Sequence, residues 1–255
     1  MRKLGWLLIG IALLTQVRAQ PGPFPSAHAH NDYVHREPLR QALRCGFLSV
    51  EADVHLTADG RLLVGHDAVD GHSPDLESLY LKPLDSLLRR NSGHVHAHSM
   101  STFTLMIDLK TEGKPTIEAL LRLLQQRFPD FLSATGGIQV MMSGNVPKSE
   151  LLLTPFCGLR IDGRPSDLGL GIPSDRMPWI SDRFSRWGRV ENGKVDEESL
   201  QTIAKLAQQV HQEHKRLRLW AIPDTAENWE ALLRAGVDLI NTDDLAGLSR
   251  FLTNR

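Results

Sequence analysis

The chain has 255 residues, its 29 lysines and arginines nearly balance its 30 aspartates and glutamates, and its formal net charge is −1. This balance provides no basic footprint for a nucleic acid, so we expect no nucleic-acid partner. The hydrophobic fraction of 41% and the charged fraction of 23% are typical of a globular protein and not of a disordered one.

Residues 1–19 are predicted to form a secretory signal peptide. A positively charged start precedes an apolar run over residues 4–14, which is too short to span a bilayer as a mature helix. Residues 17–19 (Val-Arg-Ala) form a small-residue cleavage pattern; an uncleaved anchor is the alternative. We therefore expect a secreted or periplasmic protein in which residues 20–255 form a single domain, with no stable membrane insertion after the signal is removed.

The first strand is predicted within residues 26–32. In a strand, side chains two apart share a face, so Ser26, His28 and His30 would point the same way. A helix is predicted over residues 37–44, with a proline in its first turn and a glycine after its end.

An acid pair lies in the second predicted strand, residues 47–54. Glu51 and Asp53 share one face, and the apolar residues between and beside them share the other. Two adjacent carboxylates in an apolar strand repel each other and lose hydration energy, which a hard divalent cation offsets. A turn and a return strand over residues 61–66 then bring His66 towards the acids. The alternative is that these are ordinary polar residues at a strand end whose hydrogen bonds are satisfied within the protein.

A second acidic group is predicted at the end of the strand over residues 103–110. Alternation places Asp108 and Lys110 on one face. The carboxylate suits a metal and the ammonium suits a neighbouring phosphate. An internal ion pair at the strand end is the alternative.

Three features leave alternatives open. Residues 91–100 carry three alternating histidines that could chelate a metal, although the polar composition favours a mobile surface loop. Cys45 and Cys157 could form a disulfide or remain two buried free thiols. Arg160 and Arg164 could reach a substrate phosphate, but solvated surface charges are the favoured interpretation.

Helices and strands alternate along the rest of the chain. Further strands are predicted over residues 137–142, 157–162, 177–181, 217–222 and 237–242. A loop and a helix are predicted within residues 76–90, and helices over residues 117–128, 196–213, 226–235 and 245–252. Alternation indicates parallel strands joined by right-handed crossovers, and about eight units of this length match an α/β fold of the (β/α)₈ TIM-barrel type. An open doubly wound sheet is the alternative, but it would normally show a glycine-rich phosphate turn, which we do not find.

The candidate site residues lie at or just beyond predicted C-terminal strand ends, where such barrels keep their active sites. They are His28, His30, Glu51, Asp53, His66, Asp108, Lys110 and Trp220. Three carboxylates suit one divalent cation, Mg²⁺ or Ca²⁺, better than zinc. Two histidines could act as general base and general acid on a metal-bound phosphate, and the lysine could stabilise its charge. The tryptophan offers a flat apolar wall, and packing in the barrel core is equally compatible with it.

The order and spacing of these motifs resemble the glycerophosphodiester phosphodiesterase and phospholipase-C-like phosphodiesterase superfamily. The matching segments are the acid-pair strand, the Thr-Ala-Asp-Gly turn at 57–60, His66-Asp67, Ile107-Asp108-Leu109-Lys110 and residues 236–243. The resemblance implies a (β/α)₈ barrel with a small insertion after the second strand, at about residues 57–75. It also implies that Glu51, Asp53 and Asp108 bind the metal, that His66 and an N-terminal histidine are acid and base, and that Lys110 contacts phosphate.

Two departures concern the substrate. Glycerophosphodiesterases usually open with a histidine-arginine pair, whereas neither His28 nor His30 is followed by arginine here. Their third metal acid is usually glutamate, and Asp108 is more similar to the sphingomyelinase-D branch. The opening residues resemble a subgroup that contains the fungal altered-inheritance-of-mitochondria proteins and bacterial secreted relatives. We favour His30 as the catalytic histidine, with His28 supporting it or contacting the metal.

The sequence therefore predicts a secreted, metal-dependent phosphodiesterase. Its expected partner is a small phosphodiester or a lysophospholipid, with Lys110 and Trp220 contacting the substrate. A cyclising, phospholipase-D-like lyase is the alternative enzyme, and a non-catalytic metal- or phosphate-binding barrel is the alternative from another class. The oligomeric state is left open.

Overall fold

Eight parallel strands close into a barrel in the computed structural model, which describes residues 22–97 and 99–255. The strands are, in chain order, β1 (Ala27–Ala29), β2 (Ser49–Leu56), β3 (Leu62–Val64), β4 (Phe103–Leu109), β5 (Ile138–Gly144), β6 (Leu159–Gly163), β7 (Trp179–Arg183), β8 (Val190–Glu191), β9 (Lys194–Val195), β10 (Arg216–Trp220) and β11 (Leu239–Thr242). The barrel order is β1-β2-β4-β5-β6-β7-β10-β11, and β1 pairs with both β2 and β11. The predicted (β/α)₈ TIM barrel is confirmed.

The helices follow the strands in alternation. They are α1 (Arg40–Arg44), α2 (Lys82–Arg90), α3 (Gly113–Arg127), α4 (Lys148–Leu153), α5 (Glu197–Gln212), α6 (Ala226–Arg234) and α7 (Leu245–Thr253). Side chains cap three of them, because Asp196, Thr225 and Asp244 accept hydrogen bonds from first-turn amides. The connection from β6 to β7 holds only a short 3₁₀ turn, Pro165–Asp167, in a stretch rich in proline and glycine.

The helix predicted over residues 37–44 is shorter than expected. It begins at Arg40 because Leu39 has a φ of 60°, which no helix contains. The Leu39 amide donates instead to the buried carboxylate of Asp32, at 2.5 Å. A contact seven residues back along the chain therefore takes the place of the first helical turn.

The insertion after the second strand is a β-hairpin followed by an irregular loop. β3 pairs antiparallel with β2, and Gly60 with a φ of +83° closes the turn between them. The insertion confirms the expectation from the resemblance.

The barrel interior is apolar at one end and polar at the other. Met106, Met141, Trp179 and Leu239 form a buried cluster of their own, separate from the core between strands and helices. Each of these four residues lies two positions before a polar residue of the same strand, which in β4 is a predicted site residue. Because side chains two apart share a face, all four point into the barrel. This apolar layer forms the floor on which the polar end of the interior rests.

The predicted signal peptide lies outside the described residues. Among the helices of residues 22–97 and 99–255, none has the length and apolar character needed to cross a membrane. Cys45 and Cys157 are free thiols and do not form a disulfide.

Candidate active site

Three carboxylates meet at the C-terminal end of the barrel. Glu51 and Asp53 come from β2 and Asp108 from β4, and Asp53 is paired in register with Asp108. One carboxylate oxygen from each lies within 4.8 Å of the others. Within the described part of the chain this is the one cluster of three or more potential metal ligands. Of the alternating histidines in residues 91–100, the structure describes His94 and His96, and these two belong to no such cluster. His98 lies outside the described residues.

The Lys110 ammonium lies between two of these acids. Its Nζ is 3.0 Å from Asp53 Oδ2 and 2.9 Å from Asp108 Oδ1, and the Tyr33 hydroxyl donates to Asp53 Oδ2 at 2.9 Å. Burial raises the pKa of Asp53, and it outweighs the lowering by Lys110 and Tyr33. The other oxygen, Asp53 Oδ1, is buried and has no hydrogen-bond partner. A buried carboxylate oxygen without a donor fits a cation ligand, so the residues present suit a hard divalent metal.

Glu51 is held by two buried partners. Arg218 Nη2 donates to its Oε2 at 2.5 Å, and His28 Nε2 lies 3.2 Å from the same oxygen. Burial raises the pKa of Glu51, but the Arg218 charge and the His28 hydrogen bond outweigh it and hold that pKa far below its usual range. Glu51 is therefore an anion throughout the physiological pH range.

The two N-terminal histidines occupy different environments. His28 is fully buried, with Nδ1 2.6 Å from Ser49 Oγ and Nε2 on Glu51, and burial lowers its pKa to about 4. His30 instead lines the cavity above the acids, and its Nδ1 lies 2.9 Å from Asp243 Oδ1. Both nitrogens of His28 are engaged, whereas among the described residues His30 Nε2 has no hydrogen-bond partner.

His66 approaches from the loop after β3. Its side chain is 62% exposed, and its Nδ1 lies 3.1 Å from Asp67 Oδ1. The two cavity-lining histidines therefore share one arrangement, in which a carboxylate holds Nδ1. A carboxylate partner favours protonation of Nδ1, which leaves Nε2 free to accept or donate a proton.

Strands in the second half of the barrel add groups that the sequence did not identify. Asp162 on β6 is buried and accepts hydrogen bonds from Ser143 at 3.0 Å, from Arg164 at 2.8 Å and from Ser181. Arg164 reaches the cavity, so its favoured interpretation as a surface charge is wrong, whereas Arg160 binds the Ala134 carbonyl away from it. Arg218 and the residues around Asp162 alternate with apolar neighbours in their strands, and this alternation is the signal that could have identified them.

A cavity of about 230 Å³ connects these groups. Its walls are His30, Asn31, Glu51, His66, Asp108, Lys110, Ser143, Arg164, Arg218 and Trp220. Six of these ten residues are predicted site residues, whereas His28 and Asp53 are buried and do not line the cavity. Both halves of the barrel contribute to the lining. A larger surface groove of about 680 Å³ runs between α6 and α7 and contains none of the predicted site residues.

Trp220 forms one wall at the end of β10. The Arg183 guanidinium, from the neighbouring strand β7, lies 5.4 Å from the centre of its ring. Trp220 is partly exposed at the cavity, which places it at the site rather than in the apolar floor.

Comparison with known proteins identifies a related family. Residues 19–147 match the family model described as the AIM6-like phosphodiesterase domain. A relative from Eremothecium gossypii, named "Altered inheritance of mitochondria protein 6", is 31% identical over 269 residues, which cover 88% of this chain and 68% of the relative. The predicted acids, histidines and lysine all lie within the matched segment, and Trp220 lies beyond it.

Solved structures share the fold at low sequence identity. A putative glycerophosphodiester phosphodiesterase from Galdieria sulphuraria has a TM-score of 0.59 and 14% identity, with 92% of this chain and 100% of that chain covered. A phosphodiesterase from Oleispira antarctica, in complex with the product sn-glycerol-3-phosphate, has a TM-score of 0.54 and 15% identity, with 90% and 97% covered. These likenesses support the barrel.

The predicted secreted or periplasmic location is contradicted by the relatives. Several are named altered inheritance of mitochondria proteins, and this name points to mitochondria rather than to secretion. The prediction depended on a positive start and a short apolar run, and positive charge is common to targeting segments of more than one compartment.

Proposed function

The chain belongs to the AIM6-like phosphodiesterase family, within the glycerophosphodiester phosphodiesterase-like superfamily, and we propose that it hydrolyses phosphodiesters with one divalent cation. One observation carries the proposal. Two members of the three-carboxylate cluster line a cavity of about 230 Å³ together with a lysine and two carboxylate-held histidines. General acids and bases beside a metal-ligand cluster are the groups that hydrolysis of a phosphodiester requires.

Glu51, Asp53 and Asp108 would hold the cation, Mg²⁺ or Ca²⁺. When bound, it would supply positive charge to the phosphate oxygens. The orphaned Asp53 Oδ1 and the permanent negative charge of Glu51 support this assignment. We therefore expect turnover to depend on a bound cation and on all three acids.

His30 and His66 would act as general base and general acid. Each is held through Nδ1 by a carboxylate, Asp243 or Asp67, so each presents Nε2 for proton transfer. His28 would be a positioning residue, because its two nitrogens are engaged by Ser49 and Glu51.

Lys110 would contact the phosphate, with Arg164, which follows β6, as a second cation in the cavity wall. Both side chains are about one third exposed or less, and both line the cavity. Trp220 would provide a flat wall beside the scissile diester. The expected substrates are glycerophosphodiesters or related phospholipid headgroups, and the sn-glycerol-3-phosphate bound to the Oleispira antarctica phosphodiesterase supports this class.

The test is turnover of glycerophosphodiesters, followed by phosphorus NMR. We expect a phosphate monoester that forms with added Mg²⁺ or Ca²⁺, does not form with EDTA, and is lost in His66→Ala. A cyclic phosphate as the final product would indicate a lyase instead. Turnover that is insensitive to both EDTA and the substitution would contradict the assigned site.

A further inference from the structure

The cavity has an acidic side and a basic side. The acids come from the neighbouring strands β2 and β4. On the other side of the barrel mouth the neighbouring strands β6, β7 and β10 end at or just before Arg164, Arg183 and Trp220. Arg164 and Trp220 line the cavity, and the exposed Arg183 contacts Trp220 without lining it. We call these three residues the basic arc. A diester whose phosphate lies at the acids would direct one of its substituents towards the basic arc.

The Trp220 ring is already in contact with a cation. Arg183 lies over it at 5.4 Å, a distance at which a guanidinium is attracted by the face of an indole. The neighbouring arginines have carboxylate partners, since Arg164 pairs with Asp162 and Arg186 pairs with Asp182. Arg183 forms no ion pair with any acidic side chain of the described residues, so its positive charge is not neutralised locally.

An aromatic wall beside a phosphate site would ordinarily suggest a cage for a quaternary ammonium group. Here a choline headgroup at Trp220 would bring a second cation to an indole that already binds one, and close to Arg164 as well. Like charges repel, and the exposure of Arg183 to water keeps this repulsion modest in size. A polyol or an anionic group meets no such repulsion and finds guanidinium donors.

We propose that the basic arc selects diesters with an uncharged polyol or an anionic headgroup and discriminates against quaternary ammonium headgroups. Arg183 is the specificity-determining residue, acting through Trp220. This inference rests on the proposed phosphodiesterase function and specifies the substrate class of the same site.

The experiment compares two diesters that differ in headgroup charge, glycerophosphoglycerol and glycerophosphocholine. kcat/KM is measured for both by phosphorus NMR with the full chain, with Arg183→Gln, and with Arg122→Gln as a charge-matched control on the exposed face of α3. We expect the unmodified protein to prefer glycerophosphoglycerol. Arg183→Gln should shift the ratio of the two kcat/KM values towards the choline substrate by about two- to five-fold, the size of an exposed cation–π contact. Arg122→Gln should leave the ratio unchanged.

A preference for glycerophosphocholine, or a ratio that Arg183→Gln does not move, would overturn the inference and leave the phosphodiesterase intact. If neither diester is hydrolysed, the proposed function fails for these substrates, and calorimetric binding of the same pair decides the inference separately. The inference is supported if glycerophosphoglycerol binds more tightly than glycerophosphocholine and if Arg183→Gln brings the two affinities closer together. Equal binding of the two, or no binding of either, would overturn it.

Discussion

Arg218 donates a 2.5 Å hydrogen bond to Glu51 across the interior of the barrel, between residues 167 positions apart in the sequence. The two side chains are only 3% and 8% exposed, so water would not solvate either charge if its partner were removed. A buried ion pair of this kind is costly to break from one side, because the remaining charge is left without compensation.

Arg218→Met is therefore expected to lower the free energy of unfolding by about 3–5 kcal/mol. Urea denaturation followed by circular dichroism measures it. The double variant Glu51→Gln with Arg218→Met should recover part of the loss, because no isolated charge remains. Arg234→Met is the control, since its pair with Glu230 lies on the surface and should contribute little. Equal stability of Arg218→Met and Arg234→Met would contradict the prediction.

The histidines should separate into two classes on substitution. His30→Ala and His66→Ala are expected to lower kcat by about 10²–10⁴-fold while the unfolding transition stays in place, because both side chains are partly exposed. His28→Ala should lower stability as well, since it removes the buried partner of Glu51. The exposed His72 provides the control. Full activity in His30→Ala together with its loss in a stably folded His28→Ala would reverse the assignment.

Asp53→Asn is expected to abolish both metal binding and turnover. The amide keeps the size of the side chain but removes the negative charge that a hard cation requires. Calorimetric titration with Mg²⁺ and Ca²⁺ measures binding without reference to activity. Glu118→Gln, on the exposed face of α3, removes one negative charge elsewhere and should bind as the unmodified protein does. Unchanged affinity in Asp53→Asn would exclude Asp53 as a ligand.

Tyr80→Phe is expected to destabilise the loop that carries His30. The Tyr80 hydroxyl donates at 2.8 Å to the buried carboxylate of Asp32, whose pKa is raised by burial. Losing this donor should cost about 1–3 kcal/mol. Denaturation of Tyr80→Phe, of Asp32→Asn and of the double variant would give the coupling between them. Additive losses would show that the hydrogen bond carries no stability of its own.

Local alternation was sufficient to predict the acidic half of the site. Glu51, Asp53, Asp108 and Lys110 lie on the predicted faces of their strands, because a strand aims every second side chain inwards whatever its partners are. The strand predicted over residues 177–181 lies at Trp179–Arg183, a shift of two residues that leaves the same side chains facing inwards.

The contact between Arg218 and Glu51, which shapes the basic half of the site, could not be predicted from the sequence. The role of Arg218 depends on closure of the barrel, which brings it to Glu51, whereas Arg164 contacts Asp162 two residues before it in the sequence. Periodicity identifies the face of a residue but not the residue opposite to it. The six-residue α4 was not predicted either, because less than two turns provide too little pattern.

The double pairing of β1 has a consequence for the order of folding. β1 meets β2 through the single pair Ala29 and Val50, and it meets β11, the last strand, through three pairs. During synthesis, β1 lacks this partner until residues 239–242 have been made. The carboxylates can be in place on β2 and β4 by then, but His30 has no Asp243 to hold it. The site is thus a late product of folding, and contacts between such distant parts of a chain form slowly.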